Sequence, residues 1–198
     1  QGRLHLGYVS SAMYDSKLPG LLRRLRADWP GIELSLVQGD VQMLYEALLD
    51  LRLDIAIIRA PLASPPDALV VRPFVREKLC LALYQQHPLA GVGALNLASL
   101  RTDNWISLDD PQGTGLEQVF MDACRVAGFT PQVAQRINDV TSMISLVSAG
   151  VGVALVPLSA RALRLDNVVY IDLQDRLGGE ERGRPPSLQP GDNRSRTF

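Results

Sequence analysis

Ser10 and Ser11, in "LGYVSSAMYDSKLP" (residues 6–19), are the first side chains in the chain that could do chemistry. They stand where an apolar strand pattern gives way to a helical one. Hydroxyls at such a place can attack a substrate, cap the helix, or donate to a bound anion. The elbow of a serine hydrolase needs G-x-S-x-G, which "YVSSAMY" does not supply. A nucleophilic serine also needs a base, and the chain has only His5, in a strand pattern, and His87, in a turn before Pro88. Neither spacing aims a histidine at a serine, so no catalytic residue is assigned and an enzyme is not expected. Capping and anion donation stay open.

Metal chemistry has less to work with. Two isolated histidines and two isolated cysteines have no ligand spacing, and Asp109-Asp110 before Pro111 reads as a solvated turn. The glycines of "AGVGVALVP" follow a helical pattern and open a strand, the reverse of a dinucleotide fingerprint. Gly150 and Gly152 are therefore expected to end a helix and to allow a tight entry into a sheet. Neither metal nor cofactor is expected.

Polar groups recur where apolar strand patterns end: "QGD" (38–40), Arg59 in "IIRAP", "DDPQGTG" (109–115) and "NDVT" (138–141). Open α/β sheets bind ligands outside the carboxyl ends of their strands, so these ends form one candidate site. Arg59 is a natural bidentate partner for a carboxylate. It could equally pair with an acid of the chain, such as Asp40.

The elements that must carry these residues follow from periodicity. Residues 3–9, 32–38 and 54–58 read as strands. "SKLPGLLRRLRADW", with Leu18, Leu21, Leu22, Leu25 and Trp29 at helical spacing, and "DVQMLYEALLDLRL" read as the helices between them. Such alternation implies a parallel sheet covered by helices. After the Pro-rich "RAPLASPPDA" come the β-like runs "LVVRPFV" and "KLCLALY". "NWISL", a helix over "LEQVFMDACRVAGF", "QVAQRI", a helix over "VTSMISLVSAG" and "VGVALVP" complete a second αβ set. The fold class expected is α/β, two lobes with a cleft between them. Beyond Asp175 the Gly/Pro/Arg-rich segment 176–198 has too little apolar content to offset its ordering entropy, and a disordered tail is expected.

Bulk properties narrow the partners. Twenty basic and 21 acidic residues leave a formal net charge of −1, without the basic footprint of a dedicated nucleic-acid binder. Aromatic residues, at 6%, are sparse for stacking on bases. Neither a transmembrane run nor a secretory signal is visible. Cys80 and Cys124 lie on apolar patterns and read as reduced core residues of a cytoplasmic protein. The abrupt start "QGRLHLGY", which enters a strand almost at once, suggests a piece of something longer.

"LHLGYVSSAMYDSKLPGLLRRLRADWPGIELSL", "ALLDLRLDIAIIRAP", "LALYQQHPLA" and "SLVSAGVGVALVP" together resemble the effector-binding domain of LysR-type bacterial transcription regulators, over about residues 2–174. Among these, "GYVSSAMY" and "VGVALVP" followed by "NVVYIDL" are similar to the branch that senses aromatic-catabolism intermediates such as muconate. The resemblance implies two Rossmann-like lobes around a central cleft, as in type 2 periplasmic binding proteins. The first lobe would comprise 1–74 and 158–175, the second 75–157, with hinges near 72–76 and 155–159. A small carboxylate effector would lie between the lobes. Ser10, Ser11 and Arg59 would be donors, Asp40 would stand where a threonine is common, and Pro111, Gly113, Thr114 and Thr141 would line the second-lobe side. An ionised Asp40 would repel an anion there. The family's partners are also implied: self-association as homodimer or homotetramer, and promoter DNA through an N-terminal winged helix-turn-helix that would precede residue 1. In that assembly the helix near 17–28 packs against a partner's helix near 115–127. A solute-binding protein of a transport system shares the fold and is the alternative.

Overall fold

The computed structural model describes residues 2–65 and 67–175. The expected tail, 176–198, lies outside the described residues. The first lobe opens with strand β1 (Gly2–Tyr8), helix α1 (Lys17–Asp28), strand β2 (Ile32–Gln38), helix α2 (Val41–Leu49) and strand β3 (Ile55–Ile57). The strands form a wholly parallel sheet in the order β2-β1-β3. Tyr8 is paired with both Gln38 and Ile57, so the three strands end level at their carboxyl termini. Every residue that follows a strand therefore emerges at one edge.

A second group of strands comprises β4 (Leu79–Tyr84), β5 (Ala94–Leu95), β6 (Asn104–Leu108), β7 (Gln132–Ile137), β8 (Ala154–Pro157) and β9 (Val168–Leu173), with helices α3 (Gly115–Val126) and α4 (Val140–Ser148). Four of the strands run in the order β5-β9-β4-β8, and β6 pairs in parallel with β7. A bridge from Trp105 to Val153, with Ile106 N–H donating to the Val153 carbonyl at 2.9 Å, joins the two sheets. Both faces are covered, which explains the unbroken apolar run "KLCLALY". Cys80 and Ala82 point into a core with Val140, Met143, Ile144 and Val147 of α4. Leu81 and Leu83 point into the opposite core with Trp105 and with Phe120, Ala123 and Cys124 of α3. Trp105 and Phe120 meet with ring centroids 4.8 Å apart.

Two expectations need correction. "LVVRPFV" forms no strand; Pro73 removes a ladder donor, and Val70, Val71 and Phe74 are exposed. The chain does not return to the first lobe for "VVYIDL". Instead β9 lies antiparallel to β4, Cys80 to Tyr84 facing Asp172 to Val168, and adds β5 on its far side. A short 3-10 segment, Leu158–Leu163, follows β8, and β9 then enters the same sheet on the other side of β4, so 158–175 packs with the second lobe. The apolar stripe of α1 is only partly covered among the described residues: Leu18 is buried, whereas Leu21 and Trp29 are exposed. The segments leading into β4 and out of β8 run side by side, Leu158 N–H donating to the Lys78 carbonyl at 2.8 Å. No helix among the described residues is long and apolar enough to cross a membrane.

Gly150 ends α4 with φ +72°, the conformation a helix C-terminus favours. Gly152 answers to a close approach: a Cβ there would lie 2.6 Å from the Asn104 carbonyl oxygen, which Val153 N–H already fixes at 2.9 Å. Gly152→Ala should therefore cost about 1–3 kcal/mol, the range for overpacking, measured by urea unfolding. The thiols are free and buried, and burial pushes Cys80 up to about 11 and Cys124 up to about 12. A disulfide-exchange reagent at pH 8 should leave both unmodified in the native chain and titrate both in denaturant.

Candidate functional site

Asp40 and Asp139 each stand between a strand and a helix that begins with valine. Each accepts a hydrogen bond from the backbone three residues on, Asp40 Oδ1 from Met43 N–H at 2.8 Å and Asp139 Oδ1 from Ser142 N–H at 2.9 Å. They are the N-caps of α2 and α4, a role short acidic side chains fill because helix N-termini leave donors unpaired. Both residues line one cavity of about 180 Å³. Its wall continues with Val9 and Ser10 after β1, Gln38 and Gly39 at the end of β2, Arg59 after β3, and Asn138 after β7. The level strand ends of the first lobe thus meet the β7–α4 junction of the second.

Arg59 is the cation of this cavity and the point where the lobes are tied. Its Nη1 donates to Ser11 Oγ at 2.8 Å and its Nη2 to Asp110 Oδ1 at 3.4 Å. The side chains of Arg59 and Asp110 are only 13% and 4% exposed, so the pair crosses between lobes away from bulk water. Asp110 Oδ2 accepts from Leu116 N–H at 2.9 Å, holding the first turn of α3. Gly115, with φ +69°, makes room for this, since a Cβ there would run into the Asp110 carboxylate. Arg59 Nε is buried and makes no hydrogen bond among the described residues. A guanidinium has five N–H donors, and a buried one left unpaired costs free energy, so this edge of Arg59 suits an added acceptor.

Further bonds close the seam beside the cavity. Tyr14 Oη and Thr141 Oγ1 lie 2.6 Å apart, Gly115 N–H donates to the Pro61 carbonyl at 2.8 Å, and Ala63 N–H donates to Thr114 Oγ1 at 3.2 Å. No cluster of three or more histidine, cysteine or acidic side chains placed to hold a metal occurs among the described residues.

The LysR substrate binding domain model matches residues 1–182. The chain belongs to that family. It is 36% identical over 174 residues to the HTH-type transcriptional regulator BudR of Raoultella terrigena, covering 88% of this chain and 60% of the relative. It is 33% identical to AlsR of Bacillus subtilis, covering 86% and 55%. The chain thus spans little more than half the length of these relatives, both named as regulators rather than enzymes. In fold it is similar to the BenM effector binding domain with its effector benzoate (TM-score 0.72, 24% identity, 88% of this chain and 78% of that one). The effector binding domain of QuiR in complex with shikimate is also similar (TM-score 0.78, 20% identity, 89% and 82%). The fold is that of LysR effector-binding domains, two α/β lobes of periplasmic-binding-protein type.

In this LysR domain the expected site residues divide. Ser10, Asp40 and Arg59 line the cavity. Ser11 lies behind it, buried, as the acceptor that orients Arg59. Pro111, Gly113, Thr114 and Thr141 lie on the seam between the lobes rather than on the cavity wall: Thr114 N–H bonds the Pro111 carbonyl, and a Cβ on Gly113 would meet that of Ala63 at 3.0 Å. Arg59 pairs with Asp110, not with Asp40, whose Oδ1 caps α2. Gln38, Asn138, Asp139 and Asp110 stand in stretches recognised as strand ends but were not themselves assigned. The two aspartates before apolar helical runs had a usable signal, that of an N-cap. Asp110 had none, because its partners are 51 and six residues away.

Asp110→Asn removes the charge facing Arg59 while leaving an oxygen to hold α3. It should cost about 1–3 kcal/mol, the range for under-satisfying a buried charged donor, in a denaturant titration.

Proposed function

We propose that this domain is the sensor of a LysR-type transcription regulator and binds a small organic acid in the cleft between its lobes. The observation that carries this reading is Arg59, which lines the cavity, is held by Ser11 and keeps a buried Nε without a partner among the described residues. A carboxylate docked there would accept from Nε and from the Ser10 hydroxyl. Benzoate, the effector of one fold neighbour, and shikimate, bound to the other, are carboxylic acids. Muconate, the aromatic-catabolism intermediate suggested by the sequence resemblance, is one member of the class to be tested.

The effector would act through the bonds across the seam, because a ligand shifts a conformational equilibrium only by its different affinity for the two states. Self-association through α1 and α3 is the proposed output, supported by the exposure of Leu21 on α1 and Val126 on α3. The complete regulator, cytoplasmic, would carry that change to promoter DNA through a winged helix-turn-helix. The transport alternative has no support from relatives named as regulators.

Thermal unfolding against aromatic acids, dicarboxylates including muconate, amino acids and phosphosugars tests the reading. A ligand at about 100 times its Kd should stabilise the chain by roughly 2.7 kcal/mol. Arg59→Lys keeps the charge but loses the planar fork, and should weaken a binding acid by about tenfold to a hundredfold. An effector whose shift survives that change would remove Arg59 from the site.

A further inference from the structure

We infer that the effector is a zwitterion of amino-acid type, a single carboxylate with an ammonium group close to it. The inference rests on the reading of the cleft as an effector site and concerns the charge that the cleft accepts.

Around the cavity, the sign of the charges runs against a simple anion site. Two helices, α2 and α4, begin there, and bare N-termini would favour an anion. Each is instead capped by its own carboxylate, Asp40 or Asp139. Against these two acids the cavity wall has one cation, Arg59, whose charge is already shared with Asp110. A dianion such as muconate would place its second carboxylate among acids, with no second cation on the wall to receive it.

An ammonium group reverses that balance. The capping bonds leave acceptor capacity: Asp40 Oδ2 receives no hydrogen bond among the described residues. The Asp139 oxygens take one bond each from Ser142, of the several a carboxylate can accept. Arg59 and Ser10 then receive the carboxylate, while Asp40 and Asp139 receive the ammonium. The amide groups of Gln38 and Asn138, donors and acceptors alike, sit on the same wall. The volume, about 180 Å³, is below the roughly 300–1,000 Å³ of sites for drug-sized ligands and suits a molecule of this size.

The test compares matched pairs by isothermal titration calorimetry on the 198-residue chain: L-leucine against 4-methylpentanoate, L-phenylalanine against 3-phenylpropanoate, and L-serine against 3-hydroxypropanoate, with muconate as the dianion. The expected result is that, in at least one pair, the amino acid binds about tenfold or more tightly than its deaminated partner, and more tightly than muconate. Asp40→Asn and Asp139→Asn retain a capping side chain, since asparagine caps as well as aspartate, and remove the charge. Either substitution should narrow the gap by weakening the amino acid and strengthening the deaminated acid. Deaminated acids or muconate binding as tightly as, or tighter than, every amino acid would overturn the zwitterion and leave the carboxylate site standing. A gap that both substitutions leave intact would also overturn it. Silence from every member of the panel overturns the effector site itself, and the zwitterion with it.

Discussion

The ion pair between Arg59 and Asp110 is the constraint around which the cleft is organised. A nearly buried guanidinium is tolerable only where partners meet it, and here cation and partners come together from three parts of the chain. Ser11 comes from the turn after the first strand, Asp110 from the end of a second-lobe strand, and Arg59 itself from the end of β3. The level ending of β1, β2 and β3 makes this meeting geometrically available, since all three deliver their following residues to one edge. Asp110 serves twice, holding the start of α3 with its other oxygen. The electrostatic tie between lobes and the placement of a helix therefore share one carboxylate.

The two lobes reach the cleft by the same local device. In each, a parallel strand ends, an aspartate caps the next helix, and a valine follows into the core: Val41 in the first lobe and Val140 in the second, both buried. Capping satisfies the helices and, in the same stroke, decides the electrostatic character of the space between them. Side chains chosen by local helix physics thus become selectors of charge at the site.

Much of this was legible in the chain itself. Periodicity located the helices and most strands because apolar spacing reports burial, and the resemblance to LysR regulators rested on segments that the family match covers. "LVVRPFV" misled because β-propensity without a pairing partner makes no strand, and the placement of "VVYIDL" depended on a long-range pairing with β4. At the site, the single cation was visible as Arg59, yet its partner was not. Asp40 and Asp110 are both acids near strand ends in the sequence, and only the tertiary fold distinguishes the one that caps from the one that pairs. Ser11, read as a donor to ligand, accepts a bond from Arg59 instead, because it is buried and Ser10 is the one on the cavity wall.

The second lobe buries both faces of its sheet, whereas the first lobe's described core is Leu6, Val9, Leu18, Val41, Leu44, Ala47 and Leu53, with Leu36, Val37 and Ile55 of its strands exposed. Local opening is cheapest where buried apolar contact is least, so amide exchange should be graded across the molecule, slow in β4 and β8 and fast in β2 and β3. Three of the strand ends that build the cleft belong to the softer lobe. Occupancy of the cleft would therefore be registered first as a slowing of backbone exchange in the first lobe, with the second lobe as the stationary reference.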